Sequence, residues 1–119
     1  MKIAVIAGLV LLLLAWVGTG LMGQRVLGQL LESLYTNDKT NWLKEGNPYA
    51  FYAWSPPEGK SIFGNAAGTV LAYRLLFITP TWLPAIPNGS SFHSRIKILF
   101  SIHILSLIAC FTLFLSLAN

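Results

Sequence analysis

The chain has 119 residues, and 55% of them are apolar. That length would suffice for one modest domain, but two long apolar runs take up much of it and leave too little for an enzyme domain with a deep pocket. The net charge is +4 and the pI is near 9.5, yet the basic residues are scattered from Lys2 to Lys97. No basic groove is apparent, so nucleic acid is not an expected partner, and anionic lipid headgroups account for the excess more simply.

The first apolar run, residues 3–22, reads IAVIAGLVLLLLAWVGTGLM. It has the length of a helix that crosses the hydrocarbon core of about 30 Å. Lys2 before it also fits a secretory signal, but the run exceeds a usual signal core and Gly18-Thr19-Gly20 is a poor cleavage site. Residues 1–23 are therefore expected to be a retained anchor helix. Ala15, Thr19 and Gly23 recur every four residues, a small-residue stripe that lets a second helix approach.

Beyond Gly23 the pattern becomes amphipathic. Val26, Leu27, Leu30, Leu31 and Leu34 share one side at helical spacing, which predicts a helix over about 24–36, continuing out of the bilayer or bending onto its surface. Asn37 and Asp38 end it. Residues 37–60 are rich in turn formers and carry Trp42, Tyr49, Phe51, Tyr52 and Trp54. Large amphipathic rings in such a segment are expected at the headgroup level or docked on a protein partner.

Residues 61–79 are apolar but contain Arg74. A charge at the centre of a span costs about 2.5–3.5 kcal/mol on insertion scales. An interfacial helix over about 65–79, with Arg74 reaching the headgroups, is thus expected in place of a third span. Pro80, Pro84 and Pro87 interrupt any longer helix, Trp82 is expected at the interface, and Ser91 or Ser94 is expected to cap the final helix.

The last run, residues 98–118, contains no charged residue, Pro or Gly and predicts a second span. His93, Arg95 and Lys97 precede it. Arg25, Arg74, Arg95 and Lys97 are the residues expected at lipid headgroups. The bias of Lys and Arg toward the connecting region places that region in the cytoplasm and both termini outside.

Chemistry-bearing residues are few. His103 lies within the last span, where a polar side chain is a functional-site candidate; haem ligation across an interface is one role, and a hydrogen bond to a neighbouring helix, water or headgroup is the simpler one. His93 is ten residues earlier, about 15 Å along a continuous helix, so the two cannot share a metal. Glu32, Asp38, Glu45 and Glu58 lie in polar or turn contexts, outside any catalytic motif. Cys110 is the sole cysteine, which excludes an internal disulfide and a multi-cysteine zinc site. No catalytic residue, metal site or bound cofactor is expected.

Trp42, Gly46, Pro48, Phe51, Arg74 and Arg95 follow a layout that resembles the universal stress protein B-like small bacterial membrane proteins. That resemblance implies two spans, a bacterial inner-membrane location and a stress-associated role, with no catalytic residues to transfer. The expected fold is an all-α membrane protein: a span over 1–23, a connecting interfacial, aromatic- and Pro-rich region over 24–97, and a span over 98–119. The expected function is that of a non-catalytic accessory or assembly subunit of a larger membrane complex, in contact with membrane lipid. The alternatives are a stand-alone stress-associated protein and a redox subunit using His103.

Overall fold

The computed structural model describes residues 2–119. Its elements are α1 (Lys2–Asn37), α2 (Lys39–Lys44), α3 (Gly64–Arg74), a 3-10 turn (Leu83–Ala85) and α4 (Gly89–Ala118). Most of the described residues are helical and none forms a strand. Two helices, α1 and α4, are long and apolar enough to cross a membrane.

The first helix is continuous. It passes from the apolar run into the amphipathic one without a break and stops at Asn37. There Asp38 begins the next turn, and its side chain caps α2 by accepting from the Asn41 backbone N–H at 3.3 Å. At about 1.5 Å per residue, the 36 residues of α1 account for the 54 Å long axis of the molecule.

α4 runs antiparallel to α1. Gly8 faces Leu113, Gly20 faces His103 and Gly23 faces Phe100, so positions advancing on one helix meet positions receding on the other. The inner face of α4 is a 3–4 stripe of His93, Ile96, Phe100, His103, Ser106 and Cys110, the spacing that keeps one seam against a partner helix. Cys110 is buried there as a small apolar residue.

α4 begins at Gly89, nine residues before the uninterrupted apolar run. Its cap is Asn88 in the left-handed conformation, φ 60°, and not Ser91 or Ser94. Gly89 is required because a Cβ at this position would collide with the Leu83 carbonyl.

The half of α1 beyond Gly23 carries the core. Val26, Leu27, Leu30, Leu31 and Leu34 pack with Trp42, Ala50, Leu71, Ala72, Leu75, Trp82, Leu83 and Ile86 from the connecting region, and with Ile96 and Phe100 of α4. Each of these α1 leucines is fully buried, a contribution of about 1.5–3 kcal/mol apiece relative to exposure to water. The most apolar stretch of α1, by contrast, contains no buried residue. The molecule is therefore a packed head on a slender helical hairpin whose outer surface is hydrocarbon.

α3 stops at Arg74, earlier than the expected end near 79. Leu75 to Phe77 form turns, with the Ile78 N–H on the Arg74 carbonyl at 2.8 Å. Pro80 disfavours helical geometry at Thr79, which favours an exit before that point.

Candidate functional site

Three groupings of polar and aromatic side chains stand on this frame. The first lies between the helices of the hairpin. His103 Nδ1 is 2.7 Å from the Trp16 carbonyl oxygen, and its ring stacks on the Trp16 indole with centroids 5.5 Å apart and planes at 14°. A carbonyl only accepts, so His103 donates from Nδ1–H and is held in that tautomer by α1. Gly20 makes the approach possible: a Cβ there would come within 2.8 Å of His103 Cε1.

A pocket of about 280 Å³ adjoins this pair, lined in part by Gln24, Thr69, Tyr73 and Phe100. Trp16 Nε1 and Gln24 Oε1 belong to residues of its wall and have no hydrogen-bond partner, but protein encloses both atoms. The arrangement gives His103 a packing role against the neighbouring helix. Among the described residues no three His, Cys, Asp or Glu side chains are grouped to hold a metal ion.

The residues of the small-residue stripe differ in their surroundings. Gly23 lies under Phe100, where a Cβ would meet the ring at 2.8 Å. Thr19 turns its hydroxyl back to donate to the Ala15 carbonyl at 2.6 Å, and both residues are half-buried. Gly20, outside the stripe as read from sequence, supplies the other close approach.

The second grouping organises the head. Glu45 Oε2 pairs with Arg74 Nη1 at 2.9 Å, and Glu45 Oε1 accepts from Trp82 Nε1–H at 3.3 Å. Only 13% of the Glu45 side chain is exposed. Arg74 is thus held by a carboxylate of its own chain. Trp82 is buried, as is Trp42. Trp42 donates from Nε1–H to the Pro48 carbonyl at 2.9 Å and meets the rings of Tyr35 and Trp54 edge-on at 4.8 and 6.4 Å. Gly46 and Asn47, with φ of 93° and 54°, make the left-handed exit from α2 that brings Pro48 under Trp42. His93, also buried, donates from Nε2 to the Leu75 carbonyl at 2.7 Å and ties the end of α3 to α4.

Beside this core, at its surface, Tyr35 donates to Glu58 Oε2, and Lys39 Nζ lies 3.4 Å from Glu58 Oε1. The Tyr35 hydroxyl holds the Glu58 carboxyl below its ordinary range, with the Lys39 charge adding to the effect.

The third grouping is a set of side chains that the core leaves out. Phe51 and Tyr52 are exposed, although the Tyr52 hydroxyl donates to the Leu21 carbonyl at 2.6 Å and so fixes their loop beside the end of the first apolar run. Tyr49 is half-buried, and Trp54, also half-buried, packs against the core. On α3, Ala66, Val70 and Tyr73 are exposed at spacings of four and three that place them on one face, and Phe63 and Phe77, just beyond its two ends, are exposed as well. The opposite face, Gly64, Gly68, Leu71 and Ala72, is buried. Arg25, Arg95 and Lys97 are exposed beside the ends of the apolar runs. No family model, curated protein or solved structure matches the chain.

Proposed function

We propose that this chain is a non-catalytic integral membrane protein that serves as an accessory or assembly subunit of a larger membrane complex. The observation that carries this reading is the second apolar face of α3. Phe63 and Phe77, just beyond the two ends of that helix, are 76% and 87% exposed. A helix already buried on one side and apolar on the other has a surface suited to a further partner.

In this reading α1 and α4 cross the bilayer, the head lies on the cytoplasmic side at the headgroup level, and both termini are outside. The Lys and Arg residues between the apolar runs, from Arg25 to Lys97, support that orientation. Phe51 and Tyr52 then stand at the boundary marked by Leu21.

Purification from native membranes in mild detergent, followed by mass spectrometry and an absorption spectrum, tests the proposal. A partner complex in fixed ratio is expected, lost on joint Phe63→Ser and Phe77→Ser substitution. A small oligomer without a partner would overturn the proposal in favour of a stand-alone stress-associated protein. A haem band abolished by His103→Ala would overturn it in favour of a redox subunit.

A further inference from the structure

Arg25 on α1 and Arg95 on α4 are far apart in sequence but line one groove of about 510 Å³. Met22 and Ile98 stand on its walls with them. Met22 ends the first apolar run and Ile98 starts the last one, and in each helix the arginine is three residues outside that boundary. The groove therefore has an apolar end level with the hydrocarbon and a doubly cationic end one helical turn away.

Among the described residues the ion pairs are Lys39–Glu58 and Arg74–Glu45, so neither groove arginine is in a contact ion pair. Gln29 shares the groove and supplies an amide donor. Glu32 borders an adjoining depression together with Arg95 and Gln29. Its carboxylate disfavours an anion on that side and favours the Arg25 side.

We propose that this groove binds the headgroup phosphate of an anionic phospholipid, with an acyl chain against Met22 and Ile98. Two guanidinium groups present paired donors that match phosphate oxygens. Basic pockets between helices at the cytoplasmic boundary favour anionic headgroups. The proposal rests on the reading that α1 and α4 cross a bilayer, and is independent of any protein partner.

The test uses the purified full-length chain in mild detergent, titrated with phosphatidylglycerol or phosphatidylcholine of equal chain length and read by native mass spectrometry. Preferential retention of phosphatidylglycerol is expected. At roughly fivefold per basic residue near the surface, joint Arg25→Gln and Arg95→Gln substitution is expected to weaken it roughly thirtyfold. Joint Lys44→Gln and Lys60→Gln substitution removes the same net charge and is expected to leave it unchanged. Equal retention of both lipids, equal loss in the two double variants, or full displacement by millimolar inorganic phosphate would overturn the proposal. Failure of the wild-type chain to insert into lipid nanodiscs would overturn the spanning reading itself.

Discussion

Replacing Trp42 with alanine removes the largest fully buried side chain in the head. Trp42 is 1% exposed, and its ring meets Tyr35 and Trp54 edge-on. Truncation of a buried aromatic of this kind costs about 3–5 kcal/mol, much of the stability of a small domain. Trp42→Phe retains most of the volume but leaves the Pro48 carbonyl without its donor, at a cost of about 1–3 kcal/mol. Phe51→Ala serves as the reference, because that ring is exposed and its loss is expected to fall within about 0.5 kcal/mol. Pulse proteolysis in urea, with the protein held in detergent micelles, reads all three as shifts in the cleavage midpoint. The expected order of destabilisation is Trp42→Ala, then Trp42→Phe, then Phe51→Ala. Equal midpoints for Trp42→Ala and Phe51→Ala would show that Trp42 belongs to a surface and would refute the packing described above.

Glu45→Ala leaves both Arg74 and Trp82 Nε1–H without their partner. A loss of about 1–3 kcal/mol is expected in the same proteolysis assay, and Glu45→Gln is expected to recover part of it by keeping an acceptor for Trp82. Gly23→Leu drives a side chain into the Phe100 ring, an overpacking that costs about 1–3 kcal/mol; Gly18→Leu, where a Cβ meets nothing within 4 Å, is expected to be neutral. The Glu58 carboxyl is held below its ordinary range by the Tyr35 hydroxyl, so its contribution is present above the unfolded carboxylate range and is lost as pH falls through the lowered value. The amide shift of Gly59 in NMR is expected to report one transition below the ordinary glutamate range, absent in Glu58→Gln and altered by salt because the cluster is exposed.

Local features of the fold were legible where periodicity or a breaker determines them. The amphipathic leucines of α1 and its stop at Asn37 follow from spacing and from Asp38. The start of α4 was hidden, because residues 89–97 are mixed in polarity and their helical stripe, His93 and Ile96, becomes visible only when continued into Phe100. Trp42 and Trp82 could not be placed from composition: an aromatic in a turn-rich loop reads the same whether it faces lipid, a partner or a core. Long-range pairings were equally hidden. Arg74 meets Glu45 across 29 positions, and Arg25 reaches the groove of Arg95 only through antiparallel packing. Trp42, Gly46 and Pro48, which belong to the layout resemblance, have structural roles in the head: a buried indole, a positive-φ turn and the carbonyl that the indole binds.

In the proposed topology α1 and α4 cross the bilayer as an antiparallel hairpin with the head on one side. Single cysteines at Lys2, Lys60 and Asn119, each in a Cys110→Ser background, can be treated in intact cells with a membrane-impermeant maleimide. Labelling of Lys2→Cys and Asn119→Cys, with Lys60→Cys protected until the membrane is opened, is the predicted result. Labelling of only one terminus, or of all three positions alike, would contradict this topology.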